Sequence, residues 1–177
     1  MIGQNRAAFG GSRGYGIPVA LAGQCAPYIL GQSAVAVSGA EDTNENTLAT
    51  ITVTANSIGP NGHVRIRTTW TITNSANTKT LRVRFSGGSG TVYMAVALGA
   101  QATHNDLTEI HNRNSASSQV SGKPSSQVAI GQASTGALIT SSVDTTVDTT
   151  IVITGQKALG TETLTLSRYC VETLYGA

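Results

Sequence analysis

The densest group of side chains that could do chemistry lies in residues 104–112, HNDLTEIHN. Imidazoles and carboxylates are common ligands of transition metals, and this segment carries His104, Asp106, Glu109 and His111. On a β-strand, Glu109 and His111 would share one face and His104 and Asp106 the other, because successive side chains alternate. The spacing matches no HExxH motif. The segment therefore favours a solvated loop or an edge strand over a metal site, and we expect no metal and no cofactor.

Carboxylates also cluster in two other segments. Asp144 and Asp148 lie in DTTVDTT, and on one straight strand their side chains would be ~13 Å apart, so a turn between them is the better interpretation. Glu41, Asp42 and Glu45 could offer oxygens to calcium, but calcium needs about six or more ligands and no pattern marks the others. Neither segment predicts an ion site.

Nucleophilic catalysis also lacks a motif. Serine is abundant, but the chain has three histidines and no GxSxG nucleophile elbow. The glycines of residues 87–90, GGSG, are followed neither by GK[ST] nor by a predicted helix whose N-terminus could bind phosphate. Aromatic side chains that could stack on sugars or bases are scattered singly, at Tyr15, Tyr28, Tyr93, Tyr169 and Tyr175. We therefore expect a protein that is not an enzyme.

Composition limits the possible partners. The chain has 177 residues, a net charge of +2 and 11% charged residues, against about 25% in average soluble domains. So mild a charge predicts no direct binding to nucleic acid. The longest apolar stretch, residues 17–30, is too short and too interrupted to span a membrane. So low a share of charged residues is typical of a chain that buries much of its surface against other subunits, or of a threonine-rich β-protein.

Residues 63–86 carry the clearest signal of secondary structure. Apolar and polar residues alternate in two runs, with the period of two that buries one face of a β-strand. A polar segment, NSAN, lies between the runs and predicts a turn. We therefore predict a β-hairpin in which Trp70 pairs with Leu81 and Ile66 with Phe85.

The register of this predicted hairpin places Arg67 opposite Arg84 on the outer face, with Arg65 and Arg82 close by. Like charges that face each other across a strand pair are destabilising. Either the arginines stay hydrated with their stems lying over the sheet, or they meet carboxylates on a neighbouring strand, a second subunit or another protein. On the second interpretation, Arg67 and Arg84 are candidate interface residues.

Short predicted strands separated by turn residues fill the rest of the chain, about nine or ten in all, one of them over residues 127–132, and no capped amphipathic helix is predicted. The pattern indicates an all-β protein, an antiparallel β-sandwich that is jelly-roll-like. A phase shift near Ser167 predicts a bulge in the last strand. Residues 1–32 are rich in glycine yet contain apolar anchors. We therefore predict an extended N-terminal arm over residues 1–32 and the sandwich domain over residues 33–177.

Three stretches of sequence carry a resemblance to a known family: GPNGHVRIRTTWTITNSANTKTLRVRFSGGSGT, EIHNRNSASSQ and VDTTVDTTIVITGQKALGTETLTLSRYCVETL. With these stretches, residues 33–174 resemble small virion proteins of tailed bacteriophages. The resemblance implies a β-sandwich structural protein of the particle, usually oligomeric, with no catalytic residues. An arm joined to a compact β-body is similar to capsid cement, or decoration, proteins that sit as trimers where shell subunits meet.

The resemblance also implies the partners. These would be further copies of the chain, as a homotrimer, and the major capsid protein of a virion assembled in the host cytoplasm. The arm would bury Phe9, Tyr15, Ile17 and Leu21 against a neighbour. The alternative is a tail fibre or spike module, or a carbohydrate-binding module for receptor recognition, and its partner would be a host glycan.

Overall fold

A computed structural model describes residues 26–126 and 136–177 of the chain. These residues contain eleven strands: β1 (Tyr28–Ser33), β2 (Val37–Ser38), β3 (Asn46–Val53), β4 (His63–Ile72), β5 (Lys79–Phe85), β6 (Thr91–Leu98), β7 (Thr103–Asn112), β8 (Gln119–Ser121), β9 (Thr140–Ser141), β10 (Thr149–Lys157) and β11 (Leu164–Leu174). Across the described residues, no helix has the length and apolar character needed to span a membrane.

The strands form two antiparallel sheets that make a sandwich. The larger sheet has the order β1-β11-β4-β7-β8-β9, with β2 also paired to β11, and the smaller sheet has the order β3-β10-β5-β6. Without the short strands β2, β8 and β9, the remaining eight form two four-stranded sheets between which the chain passes repeatedly. This is the strand order of a jelly roll. The predicted fold class, an antiparallel sandwich of jelly-roll type, is confirmed.

The core lies between the two sheets and follows from the period-two pattern. In β4 every second residue is buried, and β5 shows the same alternation. Trp70, from the larger sheet, and Phe85, from the smaller sheet, are both fully buried. The indole Nε1 of Trp70 donates to Thr68 Oγ1 at 2.9 Å, so burial of the ring leaves its N–H paired.

The predicted hairpin of β4 and β5 is wrong. Strand β4 pairs with β7 and β11, whereas β5 pairs with β6 and β10 in the other sheet. Alternation shows only that each strand has one apolar face, and two strands that face each other across a core give the same pattern as a hairpin. Arg67 and Arg84 therefore lie on opposite outer surfaces of the sandwich, and the predicted repulsion between them does not arise.

A buried lysine fixes the loop that carries the chain from β4 to β5. The ammonium of Lys79 is fully buried and donates to Ser75 Oγ at 2.6 Å and to the carbonyl of Asn77 at 2.9 Å. It also lies 2.8 Å from Glu162 Oε2. Two of these contacts hold the polar segment against the start of β5, and the third joins β5 to the loop between β10 and β11.

Several local predictions can be compared with the strands. The bulge near Ser167 is confirmed, because the register of β11 against β4 shifts between Leu166 and Arg168. Residues 104–112 form a strand, as part of β7. Strand β1 falls mostly within the residues assigned to the arm, and it pairs with β11. A strand predicted at residues 127–132 lies outside the described residues.

Candidate functional site

The larger sheet carries a row of charges across its outer face. Arg65 Nε donates to Glu109 Oε1 at 2.8 Å, and Arg65 Nη1 donates to Glu172 Oε1 at 3.3 Å. These carboxylates come from the two strands beside β4, and the hydrogen bond to Glu109 raises the pKa of Arg65. Arg67 Nη2 lies 3.9 Å from Glu172 Oε1, and the Arg67 side chain is 61% exposed. Arg67 is therefore available to an external partner.

The smaller sheet has a more enclosed ionic cluster on its outer face. Glu45 Oε1 accepts from Arg84 Nε at 2.9 Å, and Glu45 Oε2 accepts from Arg84 Nη2 at 2.9 Å. Arg82 Nη1 lies 3.1 Å from Glu45 Oε2, and Thr154 Oγ1 donates to Glu45 Oε1. The bonds from Arg84 are the main reason that the pKa of Glu45 is lowered. We name Glu45, Arg82, Arg84 and Thr154 the Glu45 cluster.

The predicted interface residues are therefore placed differently from one another. Arg84 is held by a carboxylate of its own chain, while Arg67 keeps most of its surface in solvent. Phe9, Tyr15, Ile17 and Leu21 lie outside the described residues. A role in an interface therefore stays a prediction for all six residues. Four of them lie outside the described residues, and for Arg67 and Arg84 no contact with a second chain is shown.

The residues considered as metal ligands point to both faces of β7. Asp106 is buried and pairs with the buried ammonium of Lys123. Glu109 is held by Arg65 on the outer face, where the rings of His63 and His111 lie 4.9 Å apart between centroids. Burial lowers the pKa of His104. Within the described residues, no three His, Cys, Asp or Glu side chains are grouped so that they could hold a metal ion.

A hydroxyl-lined groove of about 660 Å³ opens between the β5–β6 loop and the β9–β10 loop. Its polar lining includes Ser86, Ser89, Thr91, Ser141, Ser142, Asp144, Asp148 and Thr149. The turn predicted between the two aspartates is confirmed, since Asp144 Oδ1 accepts from Thr146 N at 2.9 Å and Asp148 Oδ1 accepts from Ala55 N at 2.8 Å. The groove leaves no local pattern in the sequence, because its two loops are about 50 residues apart and meet only through the strand order.

The outer edge of the larger sheet exposes apolar side chains. Strand β1 pairs with Tyr169–Thr173, and β2 pairs with the preceding part of β11, so both lie along one edge. Tyr28, Ile29, Val35 and Val37 are exposed there. No charged residue occurs between Ala26 and Ala40. We name residues 28–38 the β1/β2 edge. A distinctive sign in the sequence is the absence of charge from this segment.

These features define the protein as an all-β jelly roll with a well-packed core and two distinctive surfaces, the groove and the β1/β2 edge. No protein-family model matches the chain, and no curated protein matches it. A solved structure of infectious bursal disease virus, Gx strain, is similar over 86% of this chain and 33% of its own, with 14% sequence identity and a TM-score of 0.40. The chain thus spans about a third of that longer chain. A likeness this weak assigns neither a family nor a function.

Proposed function

We propose that the protein is a non-enzymatic structural protein of a virion, a capsid cement or decoration protein that stabilises the shell as an oligomer. It acts through its N-terminal arm and its β-body, as a homotrimer in contact with the major capsid protein, on a particle assembled in the host cytoplasm. The resemblance of residues 33–174 to small phage virion proteins supports this proposal, and a jelly roll suits it because viral capsid domains use this architecture. Because fold does not by itself imply function, the proposal depends on a surface of the molecule.

The single observation that carries the proposal is the β1/β2 edge. Exposed sheet edges are normally protected by charge, proline or short length, because their free N–H and C=O groups template pairing with other chains. This edge is uncharged and apolar, and the described chain enters it directly from the N-terminal residues. Such an edge is best explained by an assembly that covers it.

In this proposal, cementing works by burial of surface. Each apolar anchor of the arm, such as Phe9 or Leu21, would gain about 1.5–3 kcal/mol when it is fully buried. Ordering a glycine-rich segment costs part of that gain. Several anchors must therefore be buried together, which requires a long arm. No reactive group is needed.

Deletion of residues 1–25 tests the proposal. The truncation must end before β1, because β1 pairs with β11 and Leu30 packs against the core. We expect the truncated chain to keep its β-sheet circular dichroism and its melting temperature but to lose self-association and binding to particles. A truncated protein that assembles and binds particles as the full chain does would contradict the proposal.

The groove favours a second candidate function, a receptor-recognition module such as a tail fibre, a spike or a carbohydrate-binding domain. Hydroxyls and carboxylates such as Ser142 and Asp148 could hydrogen-bond a host glycan. A glycan array should then show saturable binding by the wild type that is lost when exposed Ser142 is changed to Trp to fill the groove. Absence of glycan binding by the wild type would count against this candidate.

A further inference from the structure

Among the described residues, the β1/β2 edge differs from the other sheet edges in its exposed apolar side chains. Strand β3, which is eight residues long and forms one edge of the smaller sheet, instead buries Leu48, Ile51 and Val53. Among residues 26–126 and 136–177, no strand pairs with the outer side of β1 or β2. The opposite side of the same sheet ends in β9, which has two residues, and in the part of β7 that precedes Ile110, which carries His104, Asp106 and Glu109. In the smaller sheet, edge strand β6 is partly covered, because Ala95 N donates to the carbonyl of Ser125. The β1/β2 edge therefore offers a long row of backbone groups to an added strand.

Large apolar side chains are exposed along this edge. Val35 is 75% exposed, and Ile29 is 47% exposed on the strand itself. Leu30, between them in sequence, points inward and packs against the core. An added strand would thus pair with the backbone of β1 while its side chains contact Ile29 and its exposed neighbours. This is recognition by strand addition, in which backbone bonds give affinity and alternate side chains give specificity.

The sequence next to the edge contains a suitable strand. The charge-free stretch extends from Gly14 to Ala40, so it continues beyond the edge into the N-terminal residues. Within it, residues 17–22 read IPVALA, in which Ile17, Val19 and Leu21 alternate with small residues and a proline. That is the period of a β-strand. A proline near the start of such a strand is tolerated at a sheet edge.

We propose that residues 17–22 of a second copy of this chain add as a strand to the β1/β2 edge. The inference rests on the proposed structural function and names the surface that receives the arm. Exchange of arms from each copy to the next is a heterologous contact, which closes into a ring such as a trimer when the rotation allows it.

The proposed oligomer favours a second copy over the chain's own edge, because an arm that adds to a second copy joins two chains. In the same chain, residues 17–22 are separated from β1 by residues 23–27, a length that hairpin loops also have. The crosslinking experiment below distinguishes the two cases.

A charge placed on the edge tests the surface. In the full chain, Ile29→Lys adds a lysine of the kind that protects natural edges, and Val35→Lys repeats the test at a more exposed position. The matched control is Leu159→Lys, because Leu159 is 46% exposed in the β10–β11 loop, outside residues 28–38, and Ile29 is 47% exposed. Sedimentation equilibrium should show self-association weakened at least about tenfold for both edge variants and unchanged for the control. Edge variants that melt like the wild type and associate equally well would overturn the inference.

A photo-crosslinking amino acid at position 21 tests the occupant. We expect an adduct at twice the chain mass on a denaturing gel, with the crosslinked peptide mapping to residues 28–38. An adduct confined to one chain would overturn the role of a second copy. Particle binding separates the two proposals: if Ile29→Lys binds particles normally and the deletion of residues 1–25 does not, the arm's function stands and this receiving surface is wrong.

Discussion

The Glu45 cluster yields the sharpest prediction about stability. Glu45 closes the acidic loop before β3 onto the outer face of the smaller sheet, where it faces Arg82 and Arg84. Glu45→Gln keeps the shape of the side chain and removes its charge. The variant would leave two guanidinium groups on adjoining positions of β5 without their counter-charge.

The magnitude follows from the bonds and the exposure. Glu45 accepts two hydrogen bonds from Arg84 and one from Thr154. The side chains of Glu45 and Arg84 are 26% and 16% exposed, so the pair lies between a surface ion pair, worth about 0–1 kcal/mol, and a buried one, whose disruption costs about 3–5 kcal/mol. We expect a loss of about 2–3 kcal/mol, which lowers the melting temperature by about 4–12 °C for a chain of this size.

Urea unfolding and calorimetry of the wild type, Glu45→Gln and the control Glu41→Gln measure this effect. Glu41 is exposed in the same loop, and the control should melt like the wild type. The folded pKa of Glu45 lies below its ordinary value of 4.5, so its contribution is present above pH 4.5 and is lost as pH falls through the folded pKa. The difference between wild type and variant should shrink in that acid range. Equal stabilities of Glu45→Gln and Glu41→Gln at pH 7 would refute the reasoning.

Other predictions concern the loop lysine, the sheet packing and the exposed arginine. Lys79→Met leaves Glu162 without its cation, so thermal melting should show a clear loss of stability. Lys79 and nearby polar groups lower the pKa of Glu162 to about 2. The stability that the Lys79–Glu162 pair contributes should therefore persist to low pH and fade only between about pH 4.5 and 2. If the wild type lost this stabilising contribution near neutral pH, the pairing of Lys79 with Glu162 would be contradicted. Gly155→Ala would push its new methyl group against Leu164, and urea unfolding should show a loss of about 1–3 kcal/mol, whereas an unchanged midpoint would mean that Leu164 moves aside freely. Arg67→Gln should leave melting unchanged and weaken assembly at low salt; assembly that is unaffected at both low and high salt would remove Arg67 from the interface.

The fold class was predictable from sequence because burial of one strand face leaves a local, period-two pattern. The bulge in β11 was predictable for the same reason, since one extra residue shifts the phase around Ser167. The partners of each strand were not predictable. Trp70 and Leu81 alternate in phase whether their strands pair or face each other across the core, and the sequence does not distinguish these cases.

The candidate surfaces were predictable to a lesser degree. The contact between Glu45 and Arg84 joins residues far apart in the chain, and it depends on a loop that folds back onto the smaller sheet. The groove likewise depends on the strand order. By contrast, the absence of charge from Gly14 to Ala40 is visible in the sequence, but its meaning appears only when part of it is found along a sheet edge.

The position of β11 between β1 and β4 has a consequence for biosynthesis. Strand β1 is made early, yet its pairing partner is the last strand in the described sequence. Such long-range pairing forms slowly, and here it must wait until the ribosome has produced residues 164–174. A growing chain therefore has no completed β1 edge until residues 164–174 have been synthesised.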